Sequence, residues 1–366
     1  MTPASTPAPE HPLLLPLPLK PEGVTAAWLT AALRQRRPEV VVTSADIVDV
    51  MLGTSTKIRV RLSCAGPGAE SLPSSVIVKG GFEEHSVDMG PMYANEARFY
   101  ADIQPRLSMP SPTCYFAGSD SSSHQSIVIM EDLRRPGVEF CDPLRPQTYD
   151  QVARRIDAMA RYHAETWESP EFEPGGRWAD IGSRFETWGL EFMNRFLVPE
   201  VWDFYMASPR GAAASVTWHD REWMKHALHE IGRIQFEQPR CLIHGDTHLG
   251  NLYIVEDGSP GFFDAQVART AWHHEVSYHI ACALDQADRP RWEVPLLERY
   301  LTALASHGVA APSFDAAWLD YRRSLVWGLF IFLTNPTKYQ TEAVNTAYAS
   351  RFSQAALDHD LKRLIG

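Results

Sequence analysis

The chain has 366 residues, a length suited to about two domains, and 45% of them are hydrophobic, enough to build sizeable cores. A formal net charge of −11 and the lack of a basic stripe argue against a nucleic-acid surface. The five cysteines are scattered without a C-x-x-C pair and are expected to be reduced, and the longest apolar run, 325–333, falls short of the ~20 residues of a bilayer span; a cytoplasmic protein with no membrane segment is expected.

Residues 1–22 are Pro-rich and lack the basic start and unbroken apolar core of a signal peptide, so they read as a flexible arm. Trp28, Leu29 and Leu33 then space one face of a short helix over 24–34. Runs 40–51 and 58–62 alternate as the strands of a hairpin, with Gly53, Thr54 and Ser55 at its tip. Such a tip either lays N–H and hydroxyl groups over phosphates or is an ordinary turn. Val76-Ile77-Val78-Lys79 is a short buried-type strand ending in a lysine before Gly80-Gly81. Pro91 opens and Pro105 stops a helix on which Glu96 stands three residues before Phe99. Strands over 113–116 and 126–130 flank a polar loop, and Met130-Glu131-Asp132-Leu133 leads into Arg134-Arg135-Pro136-Gly137, a linker by composition. The domains are therefore placed at 23–133 and 134–366, after the arm at 1–22.

Beyond the linker, Thr148-x-x-Gln151 is a capping-box start, and Val152, Ile156, Met159, His163 and Trp167 follow at helical spacing. His163 is expected to be a hydrogen-bonded core histidine. Phe185, Trp188, Phe192 and Phe196 mark a second helix and 223–236 a third; their aromatic stripes either pack a core or line a pocket for an apolar acceptor. Helices over 294–304, 314–333 and 341–364 close the chain.

The most distinctive stretch lies between these groups of helices, at 241–266. A strand over 241–243 runs into His244-Gly245-Asp246, and Asn251 precedes a second strand over 252–255. Asp257-Gly258 suits a two-residue hairpin turn, which would set Glu256 against Ser259 and Asn251 against Asp264. An amide oxygen and a carboxylate brought together match Mg²⁺, which takes hard oxygen ligands, only one or two of them from protein. Asp246, five residues before Asn251, has the spacing of the kinase loop H-R-D-x-x-x-x-N, in which the Asp accepts the hydroxyl proton and the Asn holds metal. A zinc reading of His274 and His279 fails, because residues five apart diverge by about 140° on a helix.

His244-Gly245-Asp246, Asn251 and Asp264-Ala265-Gln266 resemble the motif of the aminoglycoside phosphotransferase and choline kinase-like phosphotransferases, H-G-D-x-x-x-x-N followed by D-x-[DEQ]. Gln266 looks more like the ecdysteroid kinase-like branch. The resemblance implies an α+β, two-lobed protein kinase-like fold: a small antiparallel-sheet N-lobe with one key helix, and a larger, mainly helical C-lobe carrying the catalytic hairpin. It implies an ATP- or GTP-dependent, Mg²⁺-dependent O-phosphotransferase. Asp246 would be the base, with Asn251 and Asp264 as metal ligands and Gln266, His244 and His248 behind them. Lys79 would neutralise donor phosphates, held by Glu96, with Glu83 and Glu84 as competitors; backbone groups of Glu131 and Leu133 would meet the adenine. Relatives tend to carry Asp where Glu275 stands.

Gly245 in place of Arg and the lack of an A-P-E element after Asp264 argue against protein substrates. The acceptor is expected to be a small hydroxyl compound, the acidic balance suiting a cationic one and the aromatics an apolar one. A monomer or homodimer is expected. Two rival readings are a non-catalytic nucleotide-binding protein acting through a partner and a metal-dependent phosphohydrolase.

Overall fold

The computed structural model describes residues 15–145 and 147–366; the side chains of His85, of Thr187 and of Trp188 in the predicted aromatic stripe lie outside that description. The chain divides into two compact units, one made of the described residues up to Arg106 with Pro112–Arg135, the other of Leu107–Ser111 with Pro136–Gly366.

The first unit begins with α1 (Ala26–Arg34), whose Thr25 side chain accepts from the Trp28 amide as an N-cap. Strands β1 (Val41–Met51), β2 (Thr56–Ala65) and β3 (Ser75–Gly80) follow, then helix α2 (Gly90–Arg98), extended by a π-helical turn over Phe99–Ile103, and strands β4 (Cys114–Asp120) and β5 (Gln125–Glu131). They form one antiparallel sheet in the order β1-β2-β3-β5-β4. Alternation decides its buried face: Ile58, Val60 and Leu62 of β2 join Val76 and Val78 of β3 and Leu29 and Leu33 of α1 in one core. The predicted flexible arm needs correction over its described part. Leu17 is buried in that same core, Pro16 O accepts from Trp28 Nε1 at 2.9 Å, and Pro18 O accepts from Gln125 Nε2 at 2.8 Å. Residues 1–14 of the arm lie outside the described chain.

The second unit contains β6 (Val138–Phe140), α3 (Tyr149–Thr166), α4 (Thr187–Phe196), α5 (Pro199–Met206), α6 (Pro209–Ala213) and α7 (Arg221–Gln235). Next come β7 (Arg240–Ile243), β8 (Leu252–Val255), β9 (Pro260–Phe262) and β10 (Ala268–Ala271). Helices α8 (His273–Ala283), α9 (Arg289–Ser306), α10 (Phe314–Thr334), α11 (Glu342–Asp358) and α12 (Leu361–Ile365) complete it. Thr148 and Gln151 form the capping box that starts α3. β6, β8 and β9 make one small sheet and β7 and β10 another; β6 and β10 are too short for a readable alternation. The expected single closing helix is split, because Asp360 turns left-handed at φ +49° between α11 and α12.

Every residue of α8 is buried. A helix closed in on all sides is normally apolar all round. This one reads H-H-E-V-S-Y-H-I-A-C-A, and three of its polar side chains, Glu275, Tyr278 and His279, bond the loop between β7 and β8 described next. No helix among the described residues is long and apolar enough to cross a membrane.

Candidate functional site

The loop between β7 and β8 is fixed at its first turn by Gly245, at φ +88°. A Cβ there would lie 2.0 Å from Gln266 O and 2.8 Å from Arg184 Nη2, so only glycine meets both the dihedral and the space. The two flanking amides, His244 N and Gly245 N, donate to the buried carboxylate of Glu275 at 3.2 and 2.8 Å. That carboxylate also accepts from Tyr162 OH at 2.6 Å and faces His163 Nε2 at 2.8 Å. Burial pushes the Glu275 carboxyl up, but the hydrogen bond and charge of His163, with His244 and Tyr162, outweigh it and hold it at about 2.

Asp246 follows, with its side chain 36% exposed and so open to a substrate. Its Oδ2 accepts from Asn251 Nδ2 at 3.0 Å and its Oδ1 from Tyr278 OH at 3.1 Å, and His248 Nε2 stands 3.5 Å from Oδ2. Burial raises the carboxyl, yet His248, His244 and Tyr278 together bring it below the usual carboxylate value, so it is ionised at neutral pH. The Asn251 amide nitrogen is held by Asp246, both at its carboxylate and at its main-chain oxygen at 3.0 Å, which leaves Oδ1 of Asn251 with no hydrogen bond among the described residues.

The hairpin differs from its expected register. Gly258 is left-handed at φ +79° and donates to Val255 O at 2.8 Å, while Val255 N donates to Ser259 O at 3.0 Å. The loop therefore holds three residues, a turn closed by a left-handed glycine, and pairs Leu252 with Phe262. Asn251 O accepts from Phe263 N at 3.0 Å, so Asn251 faces Phe263, one position short of Asp264. Asp264 itself is left-handed at φ +58°, an uncommon state for a non-glycine residue, and strand alternation no longer sets its side-chain direction. Its charge acts on His244, whose ring is buried, lowered in pKa by that burial, and therefore neutral. His244 Nδ1 accepts from the Asp246 amide at 3.3 Å, so Nε2 carries the proton toward Phe263 O at 3.1 Å. Gln266 N donates to His244 O at 2.8 Å. His248 Nδ1 accepts from Gly250 N at 3.0 Å and its Nε2 faces Gln340 at 2.8 Å.

In the first unit, Lys79 Nζ lies 2.5 Å from Glu96 Oε2, and both side chains are buried. Glu83 instead caps the 3-10 turn over Glu84–Met89 through a capping box with Ser86. At the β1–β2 tip, Thr54 O accepts from Tyr93 OH, and Ser55 is buried. Gly53 has neither a positive φ nor a close neighbour that would require glycine. Glu131 binds Arg135 Nε at 2.9 Å, and Leu133, buried, accepts from Arg135 N at 2.9 Å.

The model of the phosphotransferase enzyme family matches residues 91–316, more than half of the chain. The chain belongs to this family. It is a phosphotransferase that uses an alcohol group as acceptor. No curated protein sequence matches it. The fold is similar to that of an ethanolamine kinase from Plasmodium vivax, with a TM-score of 0.50 at 9% identity over 89% of this chain and 84% of that one. A spectinomycin phosphotransferase solved with ADP and spectinomycin matches with a TM-score of 0.47 at 11% identity, over 92% of this chain and 99% of that one. A choline kinase from Streptococcus pneumoniae matches with a TM-score of 0.46 at 10% identity, over 89% and 96%.

Three side chains of this phosphotransferase escape a reading of the motif alone. Glu275 and Tyr278, three residues apart on one face of α8, hold the loop backbone and the Asp246 carboxylate. Arg184, ahead of α4, donates from Nη2 to Gly245 O at 2.6 Å. The signal available for the first two is the polar composition of a helix with no exposed face; for Arg184 the sequence offers none.

Proposed function

We propose that the enzyme transfers the terminal phosphoryl group of ATP or GTP to the hydroxyl of a small molecule, with Mg²⁺ as the required metal. The observation that carries this is the Asp246 carboxylate: ionised, part-exposed, and held from two sides by Asn251 and Tyr278. A carboxylate so fixed can orient an alcohol and take its proton as the leaving bond loosens.

The residues present fit the metal. Asn251 keeps an unbonded amide oxygen, Asp264 supplies a carboxylate at the hairpin's end, and Mg²⁺ asks for only one or two such protein ligands. Among the described residues no group of three or more His, Cys, Asp or Glu gathers into a denser metal site. Mg²⁺ held by Asn251 and Asp264 would neutralise charge on the donor phosphates. Within the N-terminal unit, the Lys79–Glu96 pair fixes an ammonium group suited to a phosphate, and we assign it, the Gly53-Thr54-Ser55 tip and the Glu131 and Leu133 backbone to nucleotide binding. His244, His248 and Gln266 hold the catalytic loop and hairpin end in register.

The test is direct. The protein is incubated with Mg²⁺, ATP or GTP and a panel of hydroxyl compounds, and products are read by mass spectrometry. A phosphorylated alcohol whose appearance needs the metal is expected. Nucleotide binding with no phosphorylated product from any alcohol, or phosphate release that no acceptor alters, would overturn the reading.

A further inference from the structure

The second unit holds an open cavity of about 420 Å³, within the ~300–1,000 Å³ of small-molecule sites. Its wall includes Phe204 and Tyr205 of α5, Arg210 of α6, Pro336 and Lys338 from the loop between α10 and α11, and Glu342 in the first turn of α11. Phe204 is 69% exposed, and its ring meets that of Tyr205 edge-on at 5.3 Å. A phenyl ring left in water at a cavity wall is apolar surface that a ligand can cover.

The carboxylate on that wall is already matched. Arg210 is fully buried; its Nε donates to Glu342 Oε1 at 3.1 Å, its Nη2 to Glu342 Oε2 and its Nη1 to Asn335 O, and its guanidinium lies over the Tyr205 ring at 5.0 Å. Glu342 is the one carboxylate among the lining residues, and Lys338, exposed, adds a positive charge. The same loop touches the neighbour of the proposed base. Gln340 stands two residues from both Lys338 and Glu342, at most about 7 Å of extended chain, and its amide meets His248 Nε2 at 2.8 Å; that nitrogen is 3.5 Å from Asp246 Oδ2. Buried Asn345 fixes the loop, donating from Nδ2 to Gln340 O at 3.1 Å and accepting at Oδ1 from Asn335 Nδ2 at 2.9 Å. A wall tied in this way is in place before a ligand arrives.

We propose that this cavity seats the body of the acceptor, and that the acceptor is an alcohol on an aromatic or other apolar body that carries no ammonium group, with its hydroxyl at Asp246. The inference rests on Asp246 being the base and goes beyond it by naming the acceptor's class. A cationic body in the cavity would meet the charges of Arg210 and Lys338 while the lining carboxylate is held by Arg210. An apolar ring would instead cover Phe204 and Tyr205 at no such cost. The overall charge of −11 does not favour a cation here, because exposed charges more than about 8–10 Å away are largely screened.

Primary alcohols of graded chain length decide it, each ending in a phenyl group, a trimethylammonium group or neither. With wild-type protein and Mg²⁺-nucleotide, the best phenyl alcohol is expected to exceed the trimethylammonium alcohol of the same length in kcat/KM by at least about tenfold. In Phe204→Ser the ratio of phenyl to unsubstituted alcohol is expected to fall at least about fivefold, and Phe204→Leu is expected to recover part of it. Phe204 is largely exposed, so neither change empties a core, and a ratio taken within one variant cancels any loss of folded enzyme. A wild-type preference for the trimethylammonium alcohols, or an unchanged ratio in Phe204→Ser, would overturn the proposal. A wild-type dimer that Phe204→Ser dissociates, read by light scattering, would give the cavity to a second copy and overturn it equally. Should no alcohol be phosphorylated, the proposed function fails separately, and calorimetric titration of the phenyl alcohols decides: binding to wild type at least about fivefold tighter than to Phe204→Ser sustains the seat in the cavity, and equal or absent binding ends it.

Discussion

Asp246 has one hydrogen bond on each carboxylate oxygen before any substrate arrives, which fixes its orientation while leaving further lone pairs for an alcohol. Replacing it with asparagine keeps the shape but removes the carboxylate proposed to accept the proton. Asp246→Asn is expected to lower kcat by about 10²–10⁴-fold with nucleotide affinity nearly unchanged, as read by steady-state kinetics and nucleotide titration. Gly245 is constrained twice, by its left-handed φ and by Gln266 O at 2.0 Å from a would-be Cβ. Gly245→Ala therefore faces on the order of 1–2 kcal/mol of backbone strain in addition to the clash. Activity is expected to fall at least about tenfold, with a lower melting temperature. The same two constraints explain why an arginine at this position, as in protein kinases, has no room here.

Helix α8 joins the site to the core. Glu275 binds the turn at Gly245, Tyr278 binds Asp246, and His279 Nδ1 stands 2.9 Å from Thr247 O. Glu275 ionises at about 2 in the folded chain against an ordinary value of 4.5. Because its folded pKa is depressed, the stability it contributes, about 3 kcal/mol, is present above pH 4.5 and is lost as pH falls through about 2. Burial holds His273 and His279 at about 3 against 6.5, so these buried neutral rings begin to favour the unfolded chain as pH drops below 6.5. Thermal melts are expected to show stability falling in acid from pH 6.5 downward, and Glu275→Gln is expected to make the fall below pH 4.5 shallower, leaving the histidine share, which continues to about pH 3. An unaltered acid limb in that variant would place the dependence elsewhere.

Across the whole molecule, each of the two units has its own core, and the first extends further toward the start of the chain than the Pro-rich composition suggests. Leu17 is 7% exposed within that core, so Leu17→Ala is expected to cost about 2 kcal/mol, measured by chemical denaturation; no change would return this stretch to a loose arm. What the sequence by itself determined is the local part of the site: His244, Gly245, Asp246 and Asn251 lie within one loop, where spacing along the chain sets spacing in space. The five-stranded sheet, the longer helices and the capping box at Thr148 were legible for the same reason, since periodicity and capping act over a few residues, whereas the short α5 and α6 and the break before α12 were not. The hairpin register was not, because Asp257-Gly258 is compatible with both a two-residue and a three-residue loop, and the conformation of Gly258 chose between them. Only the tertiary structure decided which side chains hold the loop. Arg184, Glu275 and Tyr278 reach it through packing between segments far apart in sequence, and such meetings leave no periodic mark on the chain.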